Sequence, residues 1–233
     1  CSELTHDDGT TPLYVEMNGT SMATPVVAGA SAIVLQFLRS EGISEPRSDL
    51  IRASLINGAV DIGESDVPNP SEGGGQLSLD NSLFPVSENG VEMDVMYDYS
   101  RELLPGHGFT YTFDVSPGAG LDATLAWNDL KGSSVANQSA SRLVNDLDLA
   151  VTAPDGTIYL GNEFISGFSV SGTSVDSLNN LERVKIMDAS PGTWTVRVGN
   201  SGGNEQGYSL VLSATASEIS EADLAVFAGS LST

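Results

Sequence analysis

The sequence predicts an α/β segment followed by an all-β sandwich, and a change of period carries that prediction. From Ala23 to Leu38 the chain is apolar on every face, the pattern of a helix covered on all sides. Beyond about residue 85 apolar residues alternate with polar ones, the pattern of half-buried antiparallel strands. A chain of 233 residues, 40% hydrophobic, is enough for one or two cores.

Taken in order, Cys1 to Pro12 is polar, with His6-Asp7-Asp8-Gly9 as an exposed turn, and Leu13 to Met17 reads as a strand leading into the apolar helix. Pro25 suits a first helical turn, where a missing N–H costs nothing, which sets the helix start near Ser21. Glu41-Gly42 stops the helix, which is too short and too rich in small residues for a membrane span. Pro46 to Val60 carries Leu50, Ile51, Ala53, Leu55, Ile56 and Ala59 at helical spacing, predicting a second, amphipathic helix. A loop rich in Pro and Gly follows from Glu64 to Gly75, then a short helical stretch ending at Leu83.

Val91 to Tyr99, Phe109 to Phe113, Leu121 to Trp127, Leu147 to Val151, Thr157 to Leu160, Val184 to Met187, Trp194 to Val198 and Tyr208 to Leu212 read as strands. Turns such as Ser116-Pro117-Gly118, Pro154-Asp155-Gly156 and Pro191-Gly192 separate them. About eight strands imply a sandwich, with a jelly roll as its expected form. The boundaries that follow are 1–84 for the helical part, 85–216 for the sandwich and 217–233 for a tail. In that tail Ser220 and Asp223 could cap a short helix.

The chemistry-bearing string is Asn18-Gly19-Thr20-Ser21-Met22-Ala23-Thr24-Pro25-Val26-Val27-Ala28-Gly29. A hydroxyl at a helix N-terminus lies beside unpaired N–H groups and the positive end of the helix dipole, so an oxyanion forming there would be stabilised. Gly19, with no Cβ, would let a substrate backbone approach closely. The competing reading is that Thr20 or Ser21 simply caps the helix.

This string resembles the serine motif of the subtilisin-like serine proteases, and Gly75 to Leu83 resembles the closing Gly-x-Gly segment and short last helix of their catalytic domain. The resemblance implies a doubly wound parallel-sheet fold with Ser21 as the catalytic nucleophile, and places Gly19, Thr20 and Ser21 at the substrate and oxyanion edge. In that family the order is Asp, His, Ser, so the acid, the base and the side-chain oxyanion donor are expected upstream of Cys1. The chain then reads as a C-terminal part of a serine endopeptidase acting on protein or peptide substrates. It would be inactive without the upstream part of its own catalytic domain, its obligatory partner. A protein lacking that His and Asp would be a pseudoprotease whose β half serves as a calcium- or ligand-binding module.

Neither histidine of this chain is a good base for Ser21. His6 sits in an exposed loop, and His107, in Pro105-Gly106-His107-Gly108, falls between strands. An α/β-hydrolase reading with His107 fails because Ala23 replaces the second glycine of the G-x-S-x-G elbow and no apolar strand leads into Ser21.

The β half has its own resemblance. Leu125-Ala126-Trp127-Asn128-Asp129, Leu143 to Leu149, Gly161-Asn162-Glu163 and Asp176 to Glu182 look like the C-terminal β-domain of the oxidatively stable alkaline subtilases, the KP-43 type. That domain binds calcium, which makes a structural calcium the implied cofactor here. Asp146 and Asp148 share one face of a strand whose other face, Leu147 and Leu149, goes to the core. Asp176, Asn180 and Glu182 crowd a neighbouring loop and complete the expected ligand set. The alternative is that these residues merely make turns and solvate the sheet.

The formal net charge of −22, with 31 acids against nine bases, repels nucleic acid and anionic lipid, so neither is an expected partner. Cys1 is the only cysteine, which excludes an internal disulfide, and its terminal position is read as truncation rather than lipid modification. The chain has no starting Met or signal peptide, as expected of an internal piece of a secreted, monomeric protein. The β half is expected to fold by itself, whereas residues 1–84 alone should be aggregation-prone.

Overall fold

Three helices precede a run of antiparallel strands. The computed structural model describes residues 3–5, 12–15, 17–63, 66–132 and 141–226, with only the backbone described for 3–5, 12–15, 119 and 216–226. Strands β1 (Glu3–Thr5) and β2 (Pro12–Val15) pair antiparallel, followed by α1 (Thr20–Ser40), α2 (Ser48–Asn57) and α3 (Leu79–Leu83). The strands after them are β3 (Asp94–Asp98), β4 (Glu102–Leu103), β5 (His107–Val115), β6 (Ala119–Ala126), β7 (Asp146–Thr152), β8 (Ile158–Ile165) and β9 (Phe168–Ser171). The series closes with β10 (Leu181–Ala189), β11 (Gly192–Gly202), β12 (Gln206–Gly207), β13 (Ser209–Ala214) and β14 (Ala216–Val226). The tail therefore continues as strand to Val226, pairing along β5, and residues 227–233 lie outside the described residues.

Two sheets share one apolar core, a four-stranded sheet in the order β10-β6-β13-β3 and a six-stranded sheet in the order β14-β5-β11-β7-β8-β9. Leu121, Ala123 and Leu125 of β6 and Leu210 and Leu212 of β13 meet Leu147, Leu149, Trp194, Val196 and Val198 from the facing sheet. The alternate residues of β6 and β13 are buried as well. Ala126 and Val211 join a second cluster with Ala30, Val34, Leu38, Leu50, Ala53 and Leu55 of the helices. The expectation of half-buried strands fails for these two because the helices cover the face that would otherwise meet water.

Helix α2 is the element seated on that face. Asp49, in its first turn, is buried and receives both Arg47 Nε and Nη2, at 3.1 and 2.8 Å, while Arg47 Nη1 donates to Tyr99 O beyond β3. At the other end Arg183 Nη2 donates to Asn57 O at 2.7 Å and Nη1 to Ala59 O at 3.0 Å, a cation placed where helix carbonyls run out of partners. The same guanidinium grips Asp122 of β6 through Nε at 2.8 Å and Nη2 at 2.5 Å. Asn57 completes the set, donating to Thr124 Oγ1 and accepting from Ser213 Oγ. Full burial of Leu50 adds about 2 kcal/mol to this seat.

Helix α1 corrects two expectations. It is not covered on all sides: its buried residues are Ala30, Val34 and Leu38, one stripe at four-residue spacing, while Val26 is 63% exposed and Val27 and Ile33 are exposed too. Only its C-terminal half reaches α2 and α3, so the described residues leave the rest uncovered. By length and composition α1 is also long and apolar enough to cross a membrane, contrary to the sequence expectation, although the buried stripe docks it on protein. Its end is a Schellman turn, with Gly42 at φ 92° and Ile43 N bonded to Leu38 O at 3.0 Å, as Glu41-Gly42 implied.

Replacing Arg183 by Ala strands Asp122 without its cation and frees two carbonyls, and should cost about 3–5 kcal/mol in urea unfolding. A piece comprising residues 88–216 should melt below the whole chain, because it uncovers Ala126, Val211 and the Asp122–Arg183 pair; calorimetry of the two would show it.

Candidate functional site

The backbone around Ser21 follows from Gly19. With φ 133° and ψ 171° this residue occupies a conformation open essentially to glycine, and the helix begins directly after it. A Cβ there would meet no atom within 4 Å, so the backbone angle and not crowding selects glycine. Gly19 O accepts from Met22 N at 3.0 Å and Ala23 N at 3.2 Å. The N–H groups of Thr20 and Ser21 therefore sit in the first turn, where no helix carbonyl precedes them.

Gly19 is the N-cap and no side-chain cap bond forms, so the capping reading of Thr20 and Ser21 does not describe this helix. Thr24 Oγ1 instead turns back onto Thr20 O at 2.7 Å. Pro25 lies in the second turn, not the first, and cannot donate to Ser21 O, which opens the helix backbone next to the serine. Ser21 is exposed, beside free first-turn amides at the positive end of a 21-residue helix. Chemically, this is a hydroxyl placed where negative charge on a neighbouring oxygen is favoured.

His6 lies outside the described residues, and His107 opens β5 with Nδ1 3.2 Å from Pro105 O.

The expected metal residues gather where β7 and β10 face one another. The sequence reading that Asp146 and Asp148 share the face opposite Leu147 and Leu149 matches the burial of both leucines in the core. Strand β8 pairs with β7 only from Ala150 onward and then swings away, with Asn162 at φ 62°. Leu149 N, left without a ladder partner on that side, donates at 2.7 Å to Glu182 Oε2. Gly161 makes room for this carboxylate, because a Cβ there would lie 2.2 Å from Glu182 Oε2. Asp176 is held by Asn162 Nδ2 at 2.6 Å and by Asn179 Nδ2 at 2.7 Å, and its other oxygen accepts the amides of Leu178 and Asn179.

Three buried oxygens in this cluster, Asp146 Oδ1, Asp148 Oδ1 and Glu182 Oε1, have no hydrogen-bond partner. Glu182 is 1% exposed and Asp148 4%, so bulk solvent does not reach them. Burial, followed by the charges of Asp148, Asp176 and Asp129, pushes Asp146 up to about 6. Burial likewise raises Glu182, against the Leu149 amide and with the neighbouring carboxylates adding to it, and raises Asp148 against the opposing Ser201 and Arg197. Among the described residues no three His, Cys, Asp or Glu side chains already converge as a ligand cage. What stands there is a group of carboxylates, three of them with an orphaned oxygen, with Arg197 and Ser201 acting on Asp148; carboxylate oxygens are the donors hard cations take.

Asn180 does not join them. Its Nδ2 donates to Trp127 O and its Oδ1 accepts from Arg52 Nη1 of α2 at 3.3 Å, placing it at the helix seat. Sequence reasoning missed Arg52, Arg183 and Asn162. Arg52 falls inside the second amphipathic helix and Arg183 abuts the strand read over Val184 to Met187, which was the available signal for the arginines; Asn162 gave none for its role, which comes from a left-handed backbone. Asp129, also missed as a structural residue, accepts from the amides of Val144 and Asn145 and pins the approach to β7.

Comparison with known proteins adds two findings. Over 233 aligned residues the chain is 31% identical to the serine protease/ABC transporter B family protein tagA of Dictyostelium discoideum, an alignment covering 91% of this chain and 13% of that protein. Two further proteins of that organism, tagD and tagB of the same description, are 25% and 26% identical over 76% and 74% of this chain. The chain thus spans about an eighth of the length of these relatives, and the likeness to tagA runs through helices and strands alike. The Subtilase family, peptidase S8, matches residues 1–92, the part of the chain that carries Ser21 and its helix.

Proposed function

We propose that this chain is the nucleophile-bearing end of a subtilisin-like serine endopeptidase joined to a calcium-binding β-sandwich of the KP-43 type. The observation that carries the catalytic part is Ser21 exposed at the free N-terminus of α1, within the segment that matches the Subtilase family. Ser21 Oγ attacks the scissile carbonyl, its proton passing to a histidine held by an aspartate, both from catalytic-domain sequence outside this chain. The first-turn amide of Ser21 receives the oxyanion, and the glycine at position 19 lets the substrate backbone lie close. Substrates are proteins or peptides. The acidic composition supports a secreted, monomeric protein with neither nucleic-acid nor membrane partners.

The strand orders β3-β13-β6-β10 and β14-β5-β11-β7-β8-β9 support a jelly roll for the sandwich, with the strands of the two sheets interleaved along the chain. Asp146, Asp148, Asp176 and Glu182 would hold the calcium, whose charge supplies the donor-free oxygens with a partner and offsets their repulsion.

A fluorophosphonate probe should label Ser21 in a protein that contains the complete catalytic domain, and Ser21→Ala should abolish labelling and lower turnover by roughly 10⁶-fold. Labelling that persists in the variant would refute the assignment. For the metal, CaCl2 at about 100 times the dissociation constant should raise the melting temperature by about 5–10 °C over EGTA, and Asp148→Asn should remove the shift. Without calcium, Asp146 holds its proton more tightly folded than unfolded. Its contribution is therefore full below its ordinary value of 3.8 and is lost as pH rises through about 6. Melting in EGTA should accordingly decline between pH 4 and pH 7 by this term, and calcium should remove the decline.

A further inference from the structure

Strand β10 has two faces, and each serves a different part of the molecule. Glu182 points between the sheets into the carboxylate cluster, where Oε2 takes the amide of Leu149 and Oε1 is unpartnered. Arg183, the next residue, points the opposite way and holds the end of α2 through Asn57 O and Ala59 O. The residue before the strand does the same at the middle of the helix: Arg52 Nη2 donates to Asn180 O at 3.0 Å and to Trp127 O at 2.7 Å.

One side chain ties these faces together. Asn162 donates from Nδ2 to Asp176 Oδ2 at 2.6 Å and to Leu181 O at 2.8 Å, and accepts at Oδ1 from Arg183 N at 3.1 Å. It thus grips the backbone on both sides of Glu182 and the cluster's Asp176 at once. Any shift of Asp176 or Glu182 toward a bound cation is transmitted to the peptide units that position Arg183.

We infer that the carboxylate cluster and the seat of α2 are energetically coupled through β10 and Asn162, so that a divalent cation in the cluster tightens the docking of α2, the helix against which the Ser21-bearing α1 packs. This rests on the calcium reading above and adds a regulated role to it: the cation acts on the catalytic part, not on the sandwich alone. Arg52, Asn162 and Arg183 are positioning residues in this arrangement, none of them a ligand. Coupling of this kind is reciprocal, so loosening the helix seat must weaken cation binding by the same factor.

The test is calcium titration of the whole 233-residue chain by calorimetry, paired with amide hydrogen exchange of α2 in CaCl2 and in EGTA. Arg52→Met loosens the seat while leaving the buried Arg183–Asp122 pair intact. It should weaken calcium binding by about fivefold or more, the lower end of typical couplings, with Arg52→Lys recovering part of the loss. In the unaltered chain calcium should slow exchange of the α2 amides as well as those of β7 and β10. If calcium binds and protects β7 and β10 while α2 exchange and the affinity of Arg52→Met are unchanged, the coupling is refuted and the calcium site stands. If calcium neither binds nor alters exchange anywhere, the site itself falls and the coupling falls with it.

Discussion

The four-stranded sheet is buried on both faces, and most of the architecture answers to that constraint. Its inner face meets the second sheet in an ordinary apolar core. Its outer face carries Asp122, Thr124, Arg183, Ser209 and Ser213, polar residues that would be at ease in water but are covered by α2. Burying polar groups unpaired is costly, and all of these but Ser209 are densely paired. Asp122 and Arg183 neutralise one another, Asn57 meets Asp122, Thr124 and Ser213, and the spare N–H groups of Arg183 close the end of the helix. Such an interface admits one seating of α2, because a slide along the sheet would break several of these bonds together.

That single seating decides where Ser21 stands. Helix α1 is held by its C-terminal half, through Ala30, Val34 and Leu38, against α2 and its neighbours. The N-terminal half projects with Val26 and Val27 exposed and brings Ser21 to its free end. That helix lies within residues 1–92, the part that matches the Subtilase family, and its exposed apolar surface is of the kind that takes a further partner.

A second departure from plain packing is the acidic pocket between the sheets. Where β8 leaves β7, a carboxylate from the opposite sheet takes over a ladder hydrogen bond, and Gly161 provides the space. Asp146, Asp148 and Glu182 are gathered at a place of low solvent access, where burial raises their proton affinity against the opposing pull of Arg197 on Asp148. A fold that retains this arrangement bears an electrostatic cost that a bound cation would remove.

Much of this was legible in the sequence. The change of period near residue 85 located the passage from helices to strands, and the turn residues separated the strands, because side-chain spacing follows backbone geometry directly. The Gly19-Thr20-Ser21 string marked the helix start to within one residue, and the alternation at Asp146 and Asp148 placed both on one face of a strand. What the sequence could not decide was which faces meet. Residues such as Asp122, Arg183 and Arg52 read as solvated charges until α2 lies over β6, and Asn180 reads as a ligand until Arg52 reaches it. Period reports which side of an element a residue occupies. Whether that side meets water, a helix or another charge depends on contacts between segments 61 to 128 residues apart, and only the tertiary structure brings those together.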